Sequence, residues 1–265
     1  MRLVIVVAVM LTTPSLATAQ LPFYTDDADV TPKGRTHFES FNEYDWLPDS
    51  QLPHLRQNTV NMKFNVGLGH GLELDLDAPL ITIVNDATIV PRVPFGVGDT
   101  NFGIKWQMRE EGEDSSAPAL ASALYIETPT GNAATGLGSG LVDTWVYVVA
   151  QKSLTHNIVL HLNGGYLFTG NTSTGVVGIT TARGQVATFG GSLVRKMTEA
   201  MTLGVEVTAA ATNNAELGRT QLQAMFGGSL AVRENLAVSF GVIVGRFEAS
   251  PRVGVLVGFA WDQPN

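Results

Sequence analysis

The stretch from Leu72 to Leu80 alternates apolar and acidic residues over most of its length. In the run Leu72-Glu73-Leu74-Asp75-Leu76-Asp77, the even positions are leucine and the odd positions are acidic. Because successive side chains of a β-strand point to opposite faces, a strand here places leucine on one face and charge on the other. The stretch therefore predicts a strand between an apolar and a polar environment.

The same alternation recurs along the whole chain. Lys63, Lys105, His161 and Glu206 each stand between two apolar neighbours. An apolar face toward lipid and a polar face toward the interior is typical of a transmembrane β-barrel. We predict an all-β fold, a transmembrane antiparallel up-and-down β-barrel of about twelve strands.

The beginning of the chain resembles an export signal. Met1-Arg2 is followed by an apolar run from Leu3 to Leu11, and Ala17-Thr18-Ala19 forms a small-x-small cleavage site. The run is shorter than the ~20 residues that span a bilayer as a helix. We predict a cleaved signal peptide over residues 1–19, a periplasmic segment over 20–34, the barrel over 35–261 and a tail over 262–265. Such a protein would reside in the bacterial outer membrane.

The composition agrees with a barrel. Hydrophobic residues make up 45% of the chain, charged residues only 15%, and the mean hydropathy is +0.14. After the signal, every apolar stretch is interrupted before it reaches the length of a membrane helix. A barrel explains both observations, because its strands form backbone hydrogen bonds with their neighbours while they expose apolar side chains to lipid.

The charge and the absence of cysteine limit the partners and the covalent modifications that the chain can have. The net charge of −8 becomes −9 when residues 1–19, which contain one base and no acid, are removed. An acidic chain with scattered bases disfavours nucleic acid as a partner. Cysteine is absent, so disulfides and an acylated cysteine are excluded. The expected partners are outer-membrane lipid, the barrel-insertion machinery and a small-molecule substrate.

The connections between candidate strands alternate in length. Gly69-His70 and Arg233-Glu234 are short, whereas Val84–Gly98 and Pro129–Gly140 are long and rich in turn-forming residues. Short periplasmic turns and long outer loops are typical of outer-membrane barrels, and an even number of strands leaves both termini in the periplasm.

Aromatic residues cluster at the ends of the candidate strands, where interface girdles lie. Ordinary core aromatics are the alternative. The predicted girdle consists of Tyr44, Trp46, Tyr166 and Phe168 at the outer ends and Trp106, Phe259 and Trp261 at the periplasmic ends.

The polar faces of the strands predict the lining of a pore. The predicted pore-lining residues are Lys63, Glu73, Asp75, Asp77, Lys105, Arg109, His161 and Glu206. The tight turn at Gly69-His70 predicts that Lys63 lies across from Asp75 or Asp77.

Lys105 is expected at the height of the same two aspartates, with Arg109 and Glu73 one layer lower. A ladder of ion pairs would result, which either neutralises the interior or filters solutes. Small residues on the lumen side of the later strands, among them Gly204, Gly227 and Gly241, favour open space.

Two short motifs resemble a known family. The first is Pro22-Phe23-Tyr24-Thr25-Asp26-Asp27-Ala28, and the second is Gly96-Val97-Gly98-Asp99-Thr100 ahead of a strand. Both resemble segments of the outer-membrane transporters grouped under the meta-pathway of phenol degradation. The resemblance implies a barrel that moves small, often aromatic or hydrophobic, molecules.

No motif for catalysis, a metal or a cofactor is found, so we expect none of these. The five histidines are scattered, and Gly96-Val97-Gly98 lacks the following helix that a phosphate loop needs. Asp75 and Asp77 as a general acid and base is the strongest enzymatic alternative.

The leading functional hypothesis is a conduit for small molecules. The alternatives are a non-transporting outer-membrane barrel, either structural, adhesive or enzymatic, and a soluble periplasmic barrel that binds a lipophilic ligand.

Overall fold

The computed structural model describes residues 22–112, 116–168, 184–212 and 220–264. The predicted signal peptide and Gln20 lie outside these residues. Apart from two short 3₁₀ turns, the regular secondary structure of the described chain consists of β-strands. Its strands are β1 (Thr36–Trp46), β2 (His54–Gly69), β3 (Leu72–Asn85), β4 (Phe95–Val97), β5 (Thr100–Arg109), β6 (Ala119–Thr128), β7 (Asp143–Thr155), β8 (Ile158–Phe168), β9 (Gln185–Lys196), β10 (Met201–Ala211), β11 (Thr220–Arg233), β12 (Leu236–Gly245) and β13 (Val253–Asp262). Two 3₁₀ turns cover Asp49–Gln51 and Ala133–Thr135.

The strands close into one antiparallel barrel. Apart from β4 and β5, which both pair with β3, each strand pairs with its sequence neighbours, and β1 pairs with both β2 and β13. Phe38, for example, lies across from Phe64 on one side and Trp261 on the other. Closure removes the free edges of the sheet. At a free edge within a lipid bilayer, the backbone N–H and C=O groups would have no hydrogen-bond partners.

The short strand β4 and β5 together make one interrupted wall strand. Both pair with β3, with Leu80 opposite Val97 and Asp77 opposite Asn101. The register shifts by one residue between them, at Gly98-Asp99. The barrel therefore has twelve strands, as predicted, although the sequence analysis assigned Phe95–Val97 to a loop.

The predicted faces are confirmed. On β3, Leu74 is 44% exposed while Glu73 and Asp75 are buried. On β13, Val255 and Val257 are exposed while Leu256 is buried. The apolar side chains thus cover the exterior and the polar ones point inward, the reverse of a water-soluble barrel.

The two rims differ as predicted. The turn rim carries the short connections, including His70-Gly71 and residues 156–157 and 234–235, and both termini of the barrel wall. The loop rim carries the longer connections over residues 47–53, 86–94 and 129–142. His70 and Gly71 have φ values of 56° and 73°, and this left-handed backbone makes the β2–β3 turn tight. Among the described residues, no helix has the length and apolar character needed to cross a membrane.

Candidate functional site

The barrel interior is occupied by the residues that precede β1. We call residues 22–34 the inner segment. Phe23, Thr25, Asp26 and Ala28 are buried within the barrel, so the predicted periplasmic segment over 20–34 is corrected for residues 22–28, which lie inside the barrel. The segment has no alternating pattern, and its position therefore depends on contacts with distant strands.

The first anchor of the inner segment lies on β10 and β1. The backbone N–H groups of Tyr24 and Thr25 donate to the two carboxylate oxygens of Glu206, at 3.1 and 2.5 Å. The Tyr24 hydroxyl donates to Glu43. Glu206 faces the lumen as predicted, and its carboxylate holds the segment.

The second anchor is centred on Asp26. Lys105 Nζ lies 2.9 Å from Asp26 Oδ1 and 3.1 Å from Asp27 Oδ1. The Tyr147 hydroxyl donates to Asp26 Oδ2 at 2.6 Å. The predicted motif residues Thr25, Asp26, Asp27 and Ala28 are therefore the part of the chain that contacts the interior of the wall.

Further bonds continue toward the turn rim. The Ala28 N–H donates to Gln151 Oε1 at 2.9 Å, and Gln107 Nε2 donates to the Ala28 carbonyl at 3.0 Å. The Thr31 N–H donates to Glu73 Oε2 at 2.5 Å. Polar side chains on several strands thus bind one segment, and the sequence analysis had not identified Gln107, Tyr147 or Gln151.

The start of the inner segment packs on glycine. A Cβ on Gly204 would lie 2.7 Å from Phe23 Cζ, and one on Gly227 would lie 2.7 Å from Pro22 Cγ. The small lumen-facing residues were expected to leave open space. They accommodate Pro22 and Phe23 instead.

Electrostatics favour an ionised Asp26. Asp26 and Asp27 lie in the inner segment and not in a strand of the wall. Burial raises the pKa of Asp27 to about 6, while Lys105 opposes the rise. Burial also acts to raise the pKa of Asp26, but Lys105 and Lys63 together help to lower it below its ordinary value. Lys105 therefore helps to keep Asp26 in its charged form.

The strand registers place two lysines of the predicted charge ladder differently. Lys63 lies across from Asp77, as the β2–β3 turn required. Lys105, however, lies across from Glu73, one layer from the predicted height, and its ion pairs are with the inner segment. Asp75 accepts from the Tyr125 hydroxyl at 2.7 Å.

Arg109 does not reach the lumen. It is exposed at the turn rim, where its Nε donates to the Pro118 carbonyl at 2.8 Å. A register irregularity between Gln107 and Arg109 interrupts the alternation there. His161 is half-buried beside Ser192, with Nδ1 3.1 Å from Oγ.

The predicted girdle residues lie on the outer face at the expected rims. Near the loop rim, Tyr44 and Trp46 have ring centroids 4.9 Å apart, and Tyr166 and Phe168 have centroids 5.0 Å apart. Near the turn rim, Trp106 and Phe259 are exposed, whereas Trp261 is half-buried. Their contact with a lipid interface remains a prediction.

The motif Gly96-Val97-Gly98-Asp99 anchors a loop at the loop rim. Asp99 accepts from the backbone N–H of Gly131 at 2.9 Å and of Ser139 at 2.6 Å. A Cβ on Gly98 would lie 2.6 Å from Ile81 Cδ1, so glycine is needed there. The anchored loop, residues 129–142, then covers part of the barrel mouth.

A cavity remains between the inner segment and the loop rim. Its volume is about 190 Å³, which exceeds the ~150 Å³ of a cavity that holds benzene. Among the aromatic rings that line it, those of Tyr125, Trp145 and Tyr147 form a cluster with centroids 4.4 to 6.2 Å apart. We call this space the chamber. Within the described part of the chain, no three His, Asp or Glu side chains are grouped to hold a metal ion.

Comparisons with known proteins agree with the barrel. The family model "Putative MetA-pathway of phenol degradation" matches residues 52–262, most of the chain and including the Gly96–Asp99 motif. None of the curated proteins matches this chain.

Solved structures share the fold at low sequence identity. The crystal structure of an outer membrane channel from Pseudomonas putida F1 is 13% identical with a TM-score of 0.66, covering 89% of this chain and 98% of that one. The NanC porin is 8% identical with a TM-score of 0.58, covering 84% and 98%. The KdgM porin, solved with disordered oligogalacturonate, is 9% identical with a TM-score of 0.54, covering 86% and 99%.

Proposed function

This chain belongs to the family whose description is "Putative MetA-pathway of phenol degradation". From this membership and from the structure, we propose that the chain is an outer-membrane conduit for small molecules. Residues 1–19 would direct export and then be removed. The apolar exterior would contact outer-membrane lipid after the barrel-insertion machinery has placed it there. The turn rim would face the periplasm and the loop rim the outside.

The observation that carries the proposal is the polar attachment of the inner segment. A barrel built only as a scaffold can fill its interior with apolar side chains. Here the interior binds a single segment through Lys105, Glu206 and Glu73. Hydrogen bonds and ion pairs of this kind exchange readily with water once the segment moves. The inner segment therefore suits a removable plug.

The solute class follows from the family and the fold together. The matched family concerns phenol degradation, and proteins of similar fold include an outer membrane channel and porins. The chamber is large enough for one aromatic ring. We propose that the solutes are small, single-ring or aliphatic molecules. They would pass through the barrel without chemical change.

Uptake into liposomes tests this function. Purified protein is reconstituted, and the entry of phenyltrimethylammonium, benzenesulfonate and glycerol, which cross a lipid bilayer slowly on their own, is compared with entry into protein-free liposomes. The proposal predicts faster entry of at least one of the two aromatic solutes. Entry at the protein-free rate for all three solutes would contradict it.

A further inference from the structure

The chamber is lined with an excess of carboxylates. Asp77, Glu127 and Asp143 border it together with Asp26 and Glu39, whereas Lys63 is its one basic lining residue among the described ones. The charge of Lys63 is offset locally, because it lies between Glu39 on β1 and Asp77 on β3 in the strand register. Asp26 is likewise offset by Lys105.

Glu127 and Asp143 are two further carboxylates of the lining. They lie directly across from each other on β6 and β7, near the loop rim. Two residues deeper on the same strands are Tyr125 and Trp145, which also lie directly across from each other. Carboxylates and aromatic rings thus share one wall of the chamber.

Oxygen atoms without hydrogen-bond partners point to the chemistry of a ligand. Thr25 and Thr208 are 3% and 6% exposed and line the chamber, and neither hydroxyl has a partner within the described residues. Asn61 Oδ1 and Asp77 Oδ1 line the same chamber and also lack partners there. Carbonyl and carboxylate oxygens only accept hydrogen bonds. The chamber therefore suits a ligand that donates them.

We propose that the chamber binds small aromatic ammonium ions and disfavours aromatic carboxylates. The inference rests on the proposed conduit and names the charge class that it selects. The ring of the ligand would pack among Tyr125, Trp145 and Tyr147, whose faces also attract a cation. The ammonium group would donate to Glu127 and Asp143 through charge-assisted hydrogen bonds. A carboxylate at the same place would meet like charge.

Binding to three molecules of similar shape tests the proposal. Calorimetry on detergent-solubilised full-length protein at neutral pH compares benzylammonium, benzyl alcohol and benzoate. Benzylammonium is expected to bind at least about tenfold more tightly than benzyl alcohol, a difference of about 1.4 kcal/mol, and benzoate more weakly than both. Benzoate binding as tightly as benzylammonium, or no benzylammonium binding, would overturn the proposal.

Variants locate the site. The double variant Glu127→Gln/Asp143→Asn keeps the shape of both side chains and should lose about tenfold in affinity for benzylammonium while keeping its affinity for benzyl alcohol. Trp145→Leu tests the aromatic wall separately and should weaken both ligands. Glu248→Gln removes an exposed loop carboxylate and should leave binding unchanged. Wild-type affinity for benzylammonium in the double variant would place its site elsewhere and overturn the proposal.

Transport distinguishes this inference from the proposed function. Liposome flux is measured with phenyltrimethylammonium and benzenesulfonate, whose fixed charges prevent leakage as neutral forms. Faster entry of the cation supports both proposals. Equal entry of both ions supports a conduit and contradicts the charge preference. Selective binding without entry of any solute contradicts the conduit and leaves the chamber as a binding site.

Discussion

Lys105 and Asp26, 79 residues apart in the chain, form a buried ion pair with Nζ 2.9 Å from Oδ1. The pair joins the barrel wall to the segment that fills the lumen. Tyr147 donates to the second oxygen of the same carboxylate. The occupancy of the lumen therefore depends on a few identifiable polar groups.

Removing the cation should free the inner segment. Lys105→Met removes one cation from buried Asp26, and breaking a buried ion pair in this way costs about 3–5 kcal/mol. We expect the segment to leave the lumen, so that single-channel current in planar bilayers rises above that of the wild type. Lys152→Met is the matched control, because its pair with Glu111 is partly exposed at the turn rim and such pairs contribute about 0–1 kcal/mol. Identical currents for all three proteins would contradict the role of Lys105.

The outer face should not tolerate charge. Val205 is 51% exposed in the middle of β10, so Val205→Arg places a cation in the lipid. The free energy of unfolding in vesicles should fall by about 2–4 kcal/mol. Thr88→Arg, on an exposed connection at the loop rim, serves as the control and should change stability little. Equal losses for both variants would contradict the assignment of the faces.

The wall could be predicted from sequence because it depends on local patterns. Alternation fixes which residues of a strand face outward, and a tight turn fixes the register of the two strands that it joins. Lys63 was therefore predicted opposite Asp75 or Asp77, and it lies opposite Asp77. The predicted height of Lys105 relative to Asp75 and Asp77 was wrong, because the connection from β3 to β5 is long and the register shifts at Gly98-Asp99.

The contents of the lumen could not be predicted in the same way. The inner segment has no periodicity, and the partners of Asp26 lie 79 and 121 residues away in the chain. Two features of the sequence could have indicated that this segment lies in the lumen. One is the acidic pair Asp26-Asp27 shortly after the aromatic pair Phe23-Tyr24. The other is the glycine at positions 204 and 227, which makes room for bulky side chains.

The loop over the mouth should depend on Asp99. Asp99→Ala removes the acceptor of two backbone N–H groups, and hydrogen bonds to a charged group contribute about 1.5–3 kcal/mol each. Limited proteolysis of proteoliposomes should then cut within residues 129–142 faster than in the wild type. Asp86→Ala is the control, because it removes a carboxylate that binds only the nearby Thr88 among the bonds described. In this variant the protease should cut residues 129–142 at the wild-type rate. Unchanged proteolysis of Asp99→Ala would show that other contacts hold the loop.

The orientation in the membrane can be tested by surface labelling. The connection over residues 86–94 lies at the loop rim, and Val90 is 93% exposed. An epitope inserted after Ile89 should leave the barrel folded and label intact cells, because exposed connections accept insertions. The same epitope between His156 and Asn157, at the turn rim, should label only permeabilised cells. The opposite pattern would invert the topology.

A disulfide between the inner segment and the wall would lock the lumen in its observed state. An ideal Cβ on Gly190 lies 3.6 Å from Thr25 Cβ, within the range of about 3.5–4.5 Å for disulfides. The chain has no cysteine of its own, so Thr25→Cys/Gly190→Cys introduces a single pair. Each single cysteine variant controls for the substitutions themselves.

The entry of phenyltrimethylammonium into liposomes that contain this double variant, oxidised and then reduced, is the most direct test of a conduit closed by its own inner segment. The account predicts entry at the protein-free rate when the disulfide is formed and a return to the wild-type rate after reduction. Equal entry in the two states, with the disulfide verified by mass spectrometry, would contradict the account.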